Sequence, residues 1–267
     1  MEKAHETTMI PQVAILQTDG TNCDGELFFA FKQAGGKPEM VHINDLISGK
    51  KQLSDFHILG LPGGFSYGDD VLSGKVLANE LRHKLKRQID TFISQGKLVI
   101  GVCNGFQTLV RMGYLPWAMN PAEDVSLIFN NSGHFECRWI RLEVVHSRCV
   151  FTNNLQGEVF EMPVAHGEGK LVVKKSTILK RLQKDKHVVF QYIDTQGNPT
   201  MSYPQNPNGS INAIAGITDT TGRILGLMPH PERHILPHQH PQWHAATKTN
   251  PCNTIFEHAV AYISNHF

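Results

Sequence analysis

Four short apolar runs constrain this chain more than any other feature: QVAILQT (12–18), PEMVHI (38–43), FHILGLPGG (56–64) and KLVIGVC (97–103). Each has the length and the β-former content of a buried strand. Helical spacing fills most of the gaps between them. Residues 24–35 put Leu27, Phe28, Phe31 and Ala34 on one face and stop at Gly35-Gly36. Residues 74–94 predict a long amphipathic helix with a basic outer face. A further helix follows residue 103 directly and can end at Gly113. Strand and helix alternate, so right-handed crossovers give a parallel sheet with helices on both faces. Ligands of such sheets sit beyond the carboxyl ends of the strands. Two glycine-rich turns, at 62–68 and 101–105, fall at that edge.

The second half has a different rhythm. Residues 125–130, 134–145, 161–167, 170–175 and 188–194 predict strands joined by turns. INAIAGITD (211–219) and RILGLMPH (223–230) flank the hairpin turn Asp219-Thr220-Thr221-Gly222. Residues 253–266 predict a closing helix. The expected fold class is therefore α/β, a flavodoxin-like open and mostly parallel sheet with added antiparallel strands. Residues 1–11 are expected to be a mobile tail and residues 12–267 a single domain. Residues 233–252 carry three prolines and four histidines and are expected to form an irregular insert.

The chain has 267 residues, 40% of them hydrophobic, which is enough for one substantial core. The formal net charge is +1, with no basic stripe or acidic tail, so nucleic acid is not the expected partner. No apolar run is long enough to span a bilayer, and MEKAHETTMIPQ lacks the apolar stretch of a secretory signal. A cytoplasmic enzyme without membrane contact is the expectation. The five cysteines (Cys23, Cys103, Cys137, Cys149 and Cys252) are widely spaced and form no CxxC pair. Most are expected to be plain buried thiols, and Cys23 to pack under the first helix.

GVCNG (101–105) is the segment that carries chemistry. A β-rich run ends in Gly-x-Cys-x-Gly and a helix follows, which is the cysteine form of a nucleophile elbow. The helix N-terminus favours a thiolate at Cys103, and the next amide, of Asn104, faces the same substrate oxygen. A cysteine between glycines also suits a tight turn as a small apolar filler. The surrounding strand and helix favour the nucleophile. A thiolate needs a base. His230 follows the strand RILGL, and Glu232 lies two residues on, where a carboxylate can orient an imidazole. Taken alone, HPE is equally a proline-capped turn with a solvated glutamate. In LPGGFSYGD (61–69), the unshielded amides at Gly63-Gly64 suit an oxyanion hole. A phosphate loop is the other reading, but the GK[ST] of a P-loop is missing.

These pieces resemble the class I glutamine amidotransferases, and among them the glutaminase-subunit family of phosphoribosylformylglycinamidine synthases. Six segments carry the resemblance in order: TDGTNCDGEL (18–27), LPGGFSYGDD (61–70), GVCNGFQTL (101–109), NNSGHFECRW (130–139), PVAHGEGK (163–170) and GLMPHPER (226–233). The resemblance implies that Cys103 attacks the glutamine carboxamide to give a thioester, that His230 moves protons and that Glu232 orients it. It implies an oxyanion hole from the amides of Gly64 and Asn104. It makes Gln107 and Gly63 substrate contacts, and His166 either a pocket residue or a loop histidine held by backbone bonds. Ammonia would pass to a larger synthase subunit, where ATP and Mg2+ serve the conversion of formylglycinamide ribonucleotide to formylglycinamidine ribonucleotide in purine biosynthesis. A small third subunit would bridge the two. No cofactor or metal is expected in this chain. His234, His238, His240 and His244 would align on a helix, but Pro237 and Pro241 argue against one, so a subunit-facing loop is expected. A stand-alone γ-glutamyl hydrolase and a non-catalytic binding module are the competing readings.

Overall fold

In chain order the first half runs β1 (Gln12–Gln17), α1 (Asp24–Gln33), β2 (Lys37–His42), α2 (Ile43–Ile47) and β3 (Ile58–Leu61). It continues with α3 (Lys75–Glu80), α4 (Lys86–Ser94), β4 (Leu98–Val102) and α5 (Asn104–Met112). The second half comprises β5 (Val125–Ile128), β6 (Glu136–Val144), β7 (Val159–His166), β8 (Lys170–Val173), α6 (Ser176–Lys184), β9 (Val188–Tyr192), β10 (Ile214–Thr218), β11 (Ile224–Leu227) and α7 (Asn253–His266). The computed structural model describes residues 9–69, 71–118, 123–244 and 251–267.

One sheet of nine strands organises the molecule, in the order β2-β1-β3-β4-β11-β10-β9-β6-β7. The five strands from β2 to β11 are parallel. From β11 outward, β10, β9, β6 and β7 pair antiparallel. β5 and β8 form a separate antiparallel pair. The crossovers β1–α1–β2 and β3–α3/α4–β4 run in opposite directions along the sheet, so right-handedness places their helices on opposite faces. α7 packs on α1, with Phe31 and Phe256 edge to face at 5.1 Å.

The central strands β3, β4 and β11 are buried along their whole length, as a strand covered by helices on both faces must be. Each fully buried Leu, Ile or Val there contributes roughly 1.5–3 kcal/mol. β7 instead alternates between half-buried and buried residues. α5 ends as expected, at Gly113 with φ 81°.

Several expectations need adjustment. The helix over 74–94 is interrupted by a π-helical turn at Leu81–Leu85. Helices α2 and α6 were not anticipated. Of the expected tail, residues 1–8 lie outside the described residues, but Met9 packs on the core and Pro11 accepts a hydrogen bond from the Lys37 amide at 2.9 Å. The described part of the insert has an exposed side, at Pro237, His238 and residues 241–244, and a buried one. His234 and His240 are buried against Trp139, at ring distances of 5.2 and 4.6 Å, and His240 pairs with Glu161 at 2.7 Å. Residues 245–250 of the insert lie outside the described residues.

Candidate active site

Cys103 stands between the last residue of β4 and the first of α5, with φ 51° and ψ −106°. That is a strained conformation for a residue with a side chain. The glycines of GVCNG make it possible. A Cβ on Gly105 would lie 2.0 Å from the Leu61 carbonyl oxygen, and one on Gly101 would lie 2.7 Å from the Gly105 carbonyl. The turn therefore presses α5 directly onto β3. The Cys103 amide donates to Leu227 at 2.8 Å, which ties the elbow to β11.

β11 leads three residues later to His230, whose amide donates to the Pro163 carbonyl at 2.9 Å. β7 is the last strand of the sheet, and its free edge receives this segment. The Glu161 carbonyl accepts from His234 Nδ1 at 2.7 Å, and the Ala165 carbonyl accepts the Cys103 thiol at 3.6 Å. Carbonyls two residues apart on one strand point the same way. A single edge thus sets the spacing of the Cys103 thiol and the His230 segment. Pro163 has no N–H to lose there, as edge-strand prolines require.

His230 and Glu232 are each 1% exposed, and Nδ1 of the ring lies 2.7 Å from Oε1 of the carboxylate. Burial, the largest influence, pushes the imidazole pKa down. The Glu232 charge, reinforced by the sulfurs of Cys103 and Cys23, outweighs it and holds His230 well above its ordinary value. The other nitrogen, Nε2, is buried and makes no hydrogen bond. Gly63 sits where these groups converge. A Cβ there would be 2.7 Å from His230 Cε1, 3.1 Å from Cys23 Sγ and 3.4 Å from Cys103 Cβ.

Gly64 follows with φ 143°, and a Cβ on it would lie 2.8 Å from both the Asn22 nitrogen and the Gly20 oxygen. Only glycine fits. Asn104 is the first residue of α5, so its N–H has no partner inside the helix. A cavity of about 210 Å3 is lined by Cys103, His230 and Gly64 together with Cys23, Phe65 and Phe135. The two phenylalanine rings stack at 6.1 Å and are 47% and 51% exposed, forming an apolar mouth.

Neither Gln107 nor His166, both expected to meet the substrate, lines this cavity. Gln107 is buried and its amide donates to the Glu168 carbonyl at 2.6 Å, so it braces the loop after β7. His166 is held by side chains, not by backbone. Its Nδ1 lies 3.2 Å from Asn130 Oδ1, and its Nε2 lies 3.5 Å from Asn208 Nδ2. Burial, with the His230 charge adding to it, pushes its pKa down to about 3, so the ring is neutral.

Cys23 was expected to pack under α1. It stands at the N-cap of α1 but faces the cavity, where Arg233 Nη2 donates to its sulfur at 3.0 Å. Burial pushes its thiol pKa up, against the opposing pull of the neighbouring His230 ring. Both residues belong to segments that carried the family resemblance, and that was the available signal. Cys23, His230 and Glu232 bring donor atoms within 4.8 Å of one another, the one such group among the described residues. The His230–Glu232 hydrogen bond accounts for much of that convergence. All five cysteines are free, and Cys137 is exposed.

A thiol on a strand-to-helix elbow, beside a buried His–Glu pair and a glycine turn, is the arrangement that cysteine-dependent amidohydrolase chemistry requires. The chain belongs to the glutamine amidotransferases: the family model of the CobB/CobQ-like glutamine amidotransferase domain matches residues 10–263. Among its relatives is the phosphoribosylformylglycinamidine synthase subunit PurQ of Dehalococcoides mccartyi, 49% identical over 86% of this chain and 88% of that one. The phosphoribosylformylglycinamidine synthase of Drosophila melanogaster is 35% identical over 90% of this chain, but the match spans 18% of that much longer protein. A solved structure titled PurLQS, from Thermotoga maritima, contains a chain that superposes with a TM-score of 0.73 at 32% identity, covering 96% of this chain and all of that one.

Proposed function

We propose that this chain is the glutaminase subunit of phosphoribosylformylglycinamidine synthase and that Cys103, His230 and Glu232 carry its reaction. The observation that carries the assignment is the convergence at Gly63, where Cys103 and the ring of His230 approach one point from different strands. His230, oriented by Glu232, takes the thiol proton. The thiolate attacks the glutamine carboxamide carbon, and the amides of Gly64 and Asn104 receive the oxyanion. The C–N bond breaks as His230 returns the proton to nitrogen, and ammonia leaves. Water, deprotonated by His230, then cleaves the thioester and releases glutamate.

Partnering with a synthase subunit is supported by the PurQ relatives and by the PurLQS assembly. The fly protein, where the matching segment is a small part of one long synthase, supports the same division of labour. In this reading the partner holds ATP and Mg2+, and a small third subunit bridges the two. Among the described residues no helix is long and apolar enough to cross a membrane. A cytoplasmic location fits the five free cysteines.

The test is Cys103→Ala in the assembled synthase. Glutamine-dependent synthesis should fall by at least about 1,000-fold, in the range reported for lost nucleophiles, while ammonia-dependent synthesis persists. Full glutamine use by this variant would refute the assignment.

A further inference from the structure

The carboxamide of Asn104 is fully engaged, and not with the cavity. Ser66 Oγ donates to its Oδ1 at 2.6 Å. Its Nδ2 donates to Asp69 Oδ1 at 3.0 Å and to Gln107 Oε1 at 3.4 Å. Ser66 and Asp69 belong to the loop after β3, two and five residues beyond Gly64. That loop is not a relaxed one. Tyr67 and Asp69 both take φ 54°, and Gly68 takes φ 76° between them. Non-glycine residues stay in the left-handed region only where their surroundings hold them. Here the Tyr67 amide is held by the Asp19 carbonyl at 2.8 Å, and the Phe65 amide by Gly20 at 2.9 Å. Asn104 holds the loop from the nucleophile side, and Asp69 Oδ1 also accepts the Gly74 amide at 3.2 Å.

The two oxyanion donors therefore sit on separate elements, one on this loop and one at the start of α5. A side chain on the second donor's own residue joins them. We propose that the Asn104 carboxamide, with Ser66 and Asp69, is a clasp that fixes the separation of the Gly64 and Asn104 amides, making Ser66 and Asp69 positioning residues for glutamine hydrolysis. The inference rests on the oxyanion hole assigned above. Both amides must reach a single oxygen at hydrogen-bond distance, and that oxygen gathers negative charge only as the reaction moves through the transition state to the tetrahedral intermediate. Loosening the clasp should lower kcat and leave the KM for glutamine almost unchanged. A purely structural role would instead affect the nucleophile and the binding of glutamine together.

The experiment uses S66A, D69A and D69N in the complex with the synthase subunit. S66A and D69A should each lower kcat for glutamine by about 10- to 100-fold, short of the loss expected when an oxyanion donor is removed outright. KM for glutamine should change less than twofold, and ammonia-dependent synthesis should be unchanged. Alkylation of Cys103 by iodoacetamide, followed by peptide mass, needs no oxyanion hole and should keep its rate. D69N, which preserves the accepting oxygen, should recover most of the activity. The clasp is overturned if kcat stays within twofold in both alanine variants, if the alkylation rate falls in parallel with kcat, or if D69N is as impaired as D69A. If C103A retains glutamine use, the proposed function falls instead, whatever the clasp variants do.

Discussion

The two halves of the sheet serve the site in different ways. The parallel half, β2 to β11, is dry at its centre. Its central strands are entirely buried, and what it offers is the ends of strands: Gly63-Gly64 after β3, Cys103 after β4 and His230 beyond β11. The antiparallel half offers an edge and a polar interior. β7 supplies carbonyls at 161, 163 and 165, and behind it Asn130, His166, Asn206, Asn208 and Ser210 form a buried hydrogen-bonded cluster. One half therefore fixes the reacting atoms through steric exclusion around glycine. The other fixes them through satisfied polar groups. The two should fail differently when altered.

The largest expected effect lies in the dry half. Gly105→Ala places a Cβ 2.0 Å from the Leu61 oxygen, a backbone atom that cannot swing aside. Destabilisation by more than about 3 kcal/mol is expected in denaturant unfolding. A loss below 1 kcal/mol would show that β3 and α5 are not locked as described. Next comes Gly63→Ala, whose Cβ would displace His230 and Cys23, the former at 2.7 Å. Here the fold should survive while glutamine turnover falls about 100-fold, equivalent to about 2.7 kcal/mol in the barrier. Steady-state kinetics with a thermal melt separate the two outcomes.

In the polar half, Asn208→Ala removes the partner of Tyr192 Oη at 3.0 Å and of the Ser210 hydroxyl at 2.7 Å. A stability loss of about 1–3 kcal/mol is expected, with glutaminase kcat little changed. Equal losses of activity and stability would erase the contrast between the halves. The effect that is smallest at neutral pH, because it grows only on acidification, is the titration of His166. His166 has its folded pKa lowered to about 3, so the unfolded chain binds its proton first as pH falls. The stability due to the neutral ring is complete above pH of about 6.5. It declines by up to about 1.4 kcal/mol per unit as pH drops toward 3, where the loss is complete. His166→Gln should flatten that part of the stability profile. An unchanged slope would mean that His166 is not the group responsible.

Much of this contrast was legible in the sequence, because the dry half is written in local pattern. Runs such as LVIGV alternate with helical segments, and Gly-x-Cys-x-Gly states its own turn. The antiparallel half was legible as strands but not as an edge, since nothing local says which strand ends a sheet. For the same reason the hydrogen bonds that hold His166 and Gln107 were not legible. Their partners, Asn130, Asn208 and Glu168, lie far along the chain, and pairing at that distance leaves no periodic trace. α2 has five residues, too few for periodicity to register. Cys23 was expected in the wrong surroundings because its neighbours, His230 and Arg233, come from the other end of the sequence.

The last strand of an open sheet ordinarily presents a bare row of acceptors on which a second molecule can zip. On β7 that row is occupied at Glu161, Pro163 and Ala165 by the His230–His234 segment and the Cys103 thiol. The residues proposed to carry the reaction thereby also guard the molecule against edge-to-edge aggregation. A lesion that dislodges the His230 segment would cost solubility along with turnover.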